Sequence, residues 1–403
     1  SVRKNGVLIT FGDNDTFPLW YAQEVEGVRT DVRILNYTLS GMYWYVEQLY
    51  NKLYESEPLP FTLSKDFYGL GNDMVYLQDN SKGAYLEVSD VLAMVRDHPE
   101  KFTVRDRNSD DTYIVLPTKR FKITIDKPKL VSLGVMTQEQ ADAISDTIKW
   151  EINRPVLYRY QLMMLDIIGT NRFERDIYIM SPHYIRAEFP LADKYSVQDG
   201  MNYKLLPGPA TAMNTVVVTN ADGQPVRFEK SFTDGSADYF INGVRNADGS
   251  YTPLEWGNLN SDIYVDPVSV NSALVQSRQF VTLADELTLL GDTVRARQLI
   301  ERYEEAFPSK NFPRDKYSLA FVRVYNKVCG PERAKALWGE IKDYYMQRYI
   351  YLSQFSGKKA IGVRGELEES VAVLGELSRQ ASSVFKDPSM ADELQPILRM
   401  YNM

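Results

Sequence analysis

Residues 6–35 read GVLITFGDNDTFPLWYAQEVEGVRTDVRIL, and this stretch decides the architecture. Val7, Leu8, Ile9 and Phe11 form a short apolar run of β-favouring residues. Gly12-Asp13-Asn14-Asp15-Thr16 then breaks the run with turn and helix-capping chemistry. Pro18 is expected in the first turn of the following helix, where its missing N–H costs nothing. Gly27 ends that helix, and Val32, Ile34 and Leu35 open a second strand. A βαβ unit of this length implies two parallel strands joined by a right-handed crossover. The loop at a strand's C-terminal end is where open α/β sheets place ligands. Here that loop carries two carboxylates and an amide, Asp13, Asn14 and Asp15.

Working outward, Ser40 is expected to cap a helix running to about Tyr54, stopped by Pro58 and Pro60. Residues 61–131 read as an insertion. It holds a helix near 88–97 and a hairpin over Thr112 to Ile125, with Asn108-Ser109-Asp110-Asp111 as a turn. Thr137 opens a helical stretch that Pro155 divides, and a second helix runs to about Ile168, capped by Gly169. Ile177 to Met180 returns as a strand. Residues 191–270, rich in Gly, Asn, Asp and Pro, suit strand pairs or long loops.

From about Asn271 the pattern becomes helical and repetitive. Phe280, Leu283, Ala284, Leu287, Gly291, Asp292, Ala296, Ile300, Tyr303 and Pro308 follow the tetratricopeptide pattern. Small Ala284 and Ala296 let two helices approach, and Gly291 makes the turn. Phe321, Val322, Tyr325, Ala334, Trp338 and Ile341 form a second copy, spaced slightly wider than the usual period of ~34 residues. A degenerate third unit, Glu366 to Phe385, caps the stack. The expected fold is therefore a Rossmann-like α/β layer with a β-rich insertion (residues 1–190), an irregular β/loop region (191–270), and an all-α tetratricopeptide-like repeat region (271–403).

Several of these stretches resemble one family. GDNDTFPLWYAQEVEGVRTDVRIL, MMLDIIGTNRFERDIYIM (Met163 to Met180) and, more weakly, Pro117-Thr118-Lys119-Arg120-Phe121 are similar to the soluble C-terminal region of bacterial multi-pass membrane proteins related to protein O-mannosyltransferases. The helical end fits too, since members of that family carry helical repeats there. The resemblance implies a membrane-bound glycosyltransferase-like protein with a lipid-linked sugar donor. Its catalytic half lies in membrane helices without a counterpart among these residues. It also implies the extracytoplasmic, periplasmic face of the inner membrane.

Composition narrows the functional classes. Net charge is -8, from 54 acidic against 46 basic side chains, so a general nucleic-acid role is not expected. No run approaches the ~18 apolar residues that a membrane span needs. The few residues before the first strand make the chain read as a piece of a longer protein. One cysteine, Cys329, excludes a disulfide framework, and two histidines, His98 and His183, argue against a histidine-based zinc site. Neither a metal nor another cofactor is expected. The 27 tyrosines suit wet carbohydrate or protein interfaces, or else half-exposed core positions.

No Gly-x-Ser-x-Gly elbow, Walker loop, His-Glu-x-x-His or Gly-x-Gly-x-x-Gly appears, so no residue is nominated as catalytic. The ligand-binding candidates are Asp13, Asn14 and Asp15, with Asn36, Ser181 and His183 at the ends of the neighbouring strands. Two carboxylates at a helix N-terminus repel phosphate, unlike a glycine-rich anion site. They suit a cation, sugar hydroxyls or backbone amides. Alternatively, Asp15 or Thr16 caps the helix while Asp13 and Asn14 stabilise the turn, and His183 is a surface histidine. Glu174 and Arg175 precede their strand and are expected at the opposite edge, as an ion pair or backbone clamp.

Three functions remain open. The first is an extracytoplasmic accessory domain that recognises an acceptor protein or glycan without catalysis. The second is an autonomous metal-dependent hydrolase or transferase using Asp13 and Asp15. The third is a scaffold that only anchors the repeats.

Overall fold

The computed structural model describes residues 2–69, 71, 73–105, 112–199, 202–213, 215–219, 225–246, 248–256 and 263–401. Contacts divide the chain into two compact units, one of Ser1–Val217 with Val226–Phe232, the other of Val218–Pro225 with Thr233–Met403.

The first unit is a mixed α/β body. Its elements run β1 (Val7–Thr10), α1 (Asp13–Glu24), β2 (Arg33–Asn36), α2 (Tyr43–Leu49), β3 (Met74–Leu77), β4 (Leu86–Glu87), α3 (Val88–Asp97), α4 (Pro99–Phe102), β5 (Thr103–Arg105) and β6 (Thr112–Leu116). They continue with β7 (Arg120–Thr124), α5 (Lys127–Ser132), α6 (Gln138–Ala143), β8 (Thr147–Glu151), β9 (Val156–Tyr158), α7 (Arg159–Asn171), β10 (Ile177–Ile179), β11 (Ser196–Asp199) and β12 (Asn202–Leu205). The principal sheet has the order β11-β12-β10-β1-β2. β1 is its hinge, parallel to β2 through Val7↔Arg33 to Thr10↔Asn36 and parallel to β10 through Val7↔Ile177 to Ile9↔Ile179. Strands β1, β2 and β10 are buried throughout, as fits a parallel core covered on both faces.

The interposed segment builds two further sheets, β5-β6-β3-β9 and β4-β7-β8. The expected hairpin over Thr112 to Ile125 is not formed. β6 pairs with β3 and β5, whereas β7 pairs with β4 and β8, so Pro117-Thr118-Lys119 carries the chain from one sheet to the next. The antiparallel partner of β6 is β5, and the Asn108-Ser109-Asp110-Asp111 turn between them lies outside the described residues.

The helix expected after Thr137 is short. Thr137 and Gln140 do make a reciprocal capping box, but the helix stops at Ala143. Thr147 to Glu151 then alternates with Ile148 and Trp150 buried, which is strand periodicity. Gly169 is not a cap either. Helix α7 runs to Asn171 and ends on Arg172 in the left-handed region, φ 49°. Gly169 instead lets α7 lie against α3, because a Cβ there would sit 2.3 Å from Val88 Cγ1.

The second unit holds α8 (Lys230–Asn242) for most of its length, then α9 (Pro267–Leu289), α10 (Thr293–Ala306), α11 (Leu319–Val328), α12 (Pro331–Leu352), α13 (Gly357–Ser383) and α14 (Gln395–Met400). The α9–α10 pair buries Phe280, Leu283, Ala284, Leu287, Ala296, Ile300 and Tyr303. Gly291 takes φ 82° between them, and Asp292 caps α10 by accepting from the Arg295 N–H. Helices α11 and α12 repeat the arrangement around Phe321, Val322, Tyr325, Ala334, Trp338 and Ile341. The mixed α/β layer followed by an all-helical repeat region is the fold class that the residue pattern implies. Among the described residues no helix is long and apolar enough to cross a membrane.

Candidate functional site

Parallel pairing on both sides of β1 brings three strand ends to one edge. The Met180 N–H donates to Ile9 O, and the Tyr37 N–H donates to Thr10 O, so the loops after β1, β2 and β10 leave side by side. That edge holds the acidic turn after β1, Asn36 at the end of β2, and Ser181 and His183 after β10.

The acidic residues occupy the first turn of α1. Asp13, Asn14 and Asp15 are its first three residues, and Gly12, the residue at the cap position, supplies no side-chain cap. Asp13 and Asn14 are exposed and Asp15 half-buried. Neither Asp15 nor Thr16 is the capping residue. The helix starts earlier than Pro18 suggests, since carboxylates in the first turn are favoured by the helix dipole. Pro18 therefore falls in the second turn, where α1 lacks the N–H that would bond the Asn14 carbonyl.

Below this turn is a buried polar knot. Thr10 and Thr16 hydroxyls meet at 2.6 Å, and Asn36 Nδ2 donates to Thr16 Oγ1 at 2.9 Å. Thr16 Oγ1 donates to Gly12 O at 2.7 Å, and Asn36 Oδ1 accepts from the Leu39 N–H at 2.9 Å. Asn36 is thus wholly buried, and it holds the β1 and β2 loops in register instead of facing a ligand. Ser181 is half-buried. His183 is exposed on a short 3-10 turn, its Nδ1 2.9 Å from Arg186 Nη1.

The structure adds aromatic residues that were not nominated. The Phe11 ring stacks on Tyr184 at 4.1 Å and lies 5.9 Å from Tyr37. Tyr160 meets Tyr37 edge-on at 5.0 Å, and exposed Tyr158 stacks on Tyr160 at 5.9 Å. Burial first, and then the nearby negative charge of Asp15, raises the Tyr184 hydroxyl above its usual range. Behind them, the Tyr37 hydroxyl donates to Glu188 Oε1 at 2.8 Å. Glu188 is fully buried and its Oε2 has no hydrogen-bond partner. Burial pushes this carboxyl well above the usual range, against the opposing effect of the tyrosine bond.

The opposite edge is structural. Arg175 donates to the carbonyls of Asn5, Glu57 and Pro58 and to Ser56 Oγ, and Glu174 pairs with Lys129 at 2.6 Å. Among the described residues no group of three or more His, Cys, Asp or Glu side chains is gathered as a metal would require.

This whole edge lies within residues 1–222, and over that span the sequence matches the model of TMEM260-associated domain 2. The chain belongs to the TMEM260-associated domain 2 family. No curated protein and no solved structure matches it. The family match covers the principal sheet with both added sheets, and the helical repeats lie beyond it. In this TMEM260-associated domain the exposed chemistry of the sheet edge is two carboxylates, an amide and a row of rings. Such a set can accept hydrogen bonds from hydroxyls or amides while offering flat apolar faces. The signal for Tyr37 and Tyr184 was tyrosine abundance with their position at strand ends, and for Phe11 its place at the end of the first apolar run; for Glu188 the sequence carried none.

Proposed function

We propose that this chain is the extracytoplasmic recognition region of a membrane-bound, glycosyltransferase-like protein, binding an acceptor protein or glycan and not performing the transfer. The observation that carries this reading is the pairing of the uncapped acidic turn, Asp13 to Asp15, with the Phe11–Tyr184 stack at the C-terminal edge of the sheet. The cap position is Gly12, which has no side chain, so neither carboxylate occupies the capping place, and Asp13 stands exposed at the helix start. The membership in the TMEM260-associated family and the resemblance to O-mannosyltransferase relatives supply the glycosyl-transfer context. The periplasmic side of the inner membrane follows from the same context.

The test uses the full-length membrane protein. Asp13→Asn combined with Asp15→Asn is expected to reduce mannose transfer to cellular acceptors, read with a mannose-binding lectin, with no loss of protein. Unchanged transfer would overturn the reading. Turnover of activated mannosides or phosphate esters by the purified 403-residue chain, abolished by Asp13→Asn, would instead establish the autonomous-enzyme alternative.

A further inference from the structure

Helix α1 departs from the usual amphipathic pattern, because its buried residues are the polar Thr16 and Gln23 while large apolar side chains face outward. The inner side contributes partly buried Trp20 to the core. The outer side leaves Phe17 (49%), Tyr21 (57%) and Val25 (64%) exposed at successive i, i+4 positions. The stripe continues sideways through ring contacts. Phe17 stacks on Trp20 at 5.5 Å, Trp20 meets Tyr45 at 6.2 Å, and Tyr45 meets Trp44 of α2 at 5.8 Å. Trp44 is itself 55% exposed, with Met42 beside it in sequence at 53%. Two exposed patches, Phe17–Tyr21–Val25 on α1 and Met42–Trp44 at α2, are thus joined through partly buried Trp20 and buried Tyr45. Bands of this kind on a soluble surface mark interaction sites.

The charge along α1 has one sign, and on α2 Glu47 is paired with Lys65 at 3.2 Å. Asp13 and Asp15 lie at one end of α1, Glu24 and Glu26 at the other, and no Lys or Arg occurs between Lys4 and Arg29. Glu24 accepts from the Tyr54 hydroxyl and Glu26 from the Tyr21 hydroxyl. The cations at the margin are engaged, Arg29 with Asp31 at 2.8 Å and Lys52 with Glu57 at 2.7 Å. An anionic lipid surface would be repelled by this arrangement. A neutral glycan would use the rings but not the aliphatic Val25 and Met42. A polypeptide that alternates apolar side chains with Lys or Arg satisfies all of it, through burial on the stripe, cation–π contacts and pairing with the four carboxylates.

We propose that the α1–α2 aromatic band is the docking face for a cationic amphipathic helix of a partner polypeptide. The inference rests on the recognition reading above and names the chemistry of what is recognised.

The test titrates the 403-residue chain with a labelled Leu/Lys amphipathic helix of about 14 residues, four turns, and with its Leu/Glu counterpart. Fluorescence anisotropy is expected to show salt-sensitive binding of the Leu/Lys helix alone. Phe17→Ser, Tyr21→Ser and Trp44→Ser together should weaken it by about tenfold or more at an unchanged melting temperature. Equal binding of the Leu/Glu helix, or a triple variant that binds like the original, would overturn the proposal. Binding of a mannose oligosaccharide at these residues, with none of the Leu/Lys helix, would sink this inference and leave the recognition reading standing. Tight Leu/Lys binding with unimpaired transfer in the Asp13→Asn, Asp15→Asn protein would uphold the docking face and strike only at the role of the acidic turn.

Discussion

Removing one oxygen from Tyr37 tests the interior of the sheet edge. Tyr37 is 3% exposed, and its hydroxyl is 2.8 Å from a carboxyl that is fully buried. Glu188 Oε2 is already without a partner, so Tyr37→Phe removes the side-chain hydrogen bond to the carboxyl's other oxygen. A net loss of about 1–3 kcal/mol follows from orphaning a buried polar group. For a unit of this size that is roughly 2–4 °C in melting temperature per kcal/mol. Glu188→Gln complements it by keeping an acceptor for the tyrosine while removing the ionisable proton. The sign follows from the raised Glu188 pKa. An acid whose folded pKa lies above its unfolded value stabilises the fold fully below about pH 4.3, and that contribution is lost as pH rises through the folded pKa. The original chain should therefore lose ground to Glu188→Gln as pH rises from mild acid to neutrality, by at most about 1.4 kcal/mol per pH unit. Asp166, raised by burial to about 6, acts with the same sign but is common to both proteins and cancels in the difference. Urea unfolding of the original, Tyr37→Phe and Glu188→Gln proteins across that range is the assay. A Tyr37→Phe protein as stable as the original, or a gap to Glu188→Gln that does not grow with pH, would refute the reasoning.

Two substitutions probe the packing that positions the rest. Gly169→Ala gains about 1 kcal/mol in helix propensity but drives a methyl into Val88, and overpacking of about 1–3 kcal/mol should win; chemical denaturation showing a stabilised protein would disprove the close α3–α7 approach. Ala296→Trp should overpack the α9–α10 seam, where Ala296 and Ala284 are fully buried, by at least about 1–3 kcal/mol; thermal melts without loss would reject the repeat packing.

The parts legible from sequence were those in which local chemistry and tertiary structure agree. The apolar run at Val7 to Ile9, the glycine-acid break and the return at Ile34 gave the parallel core, and the Ala284/Gly291/Ala296 spacing gave the first helical pair. Segment 112–125 does not form the hairpin its alternation suggests, because strand alternation reports which residues are buried and not which strand they pair with; Leu116 and Phe121 are both buried, but in different sheets. The strand Thr147 to Glu151 is masked in the sequence by the capping box at Thr137, which marks where a helix starts but not its length. Asn36 lies at the edge its strand position implies, but its burial, which takes it out of reach of a ligand, depends on Thr10 and Thr16 meeting it in space. Glu188 was invisible, because a lone glutamate far along the chain from Tyr37 gives no sign that it will be buried.

The central claim is that the acidic turn touches an acceptor. The most direct measurement places a photo-crosslinking amino acid at exposed Asn14 of the full-length protein in membranes that are modifying their acceptors. Leu133, 53% exposed in the same unit, is the control position. Covalent adducts to an acceptor polypeptide or glycoprotein at Asn14, and none at Leu133, are the predicted result. No adduct at Asn14, or the same adducts at both positions, would contradict it.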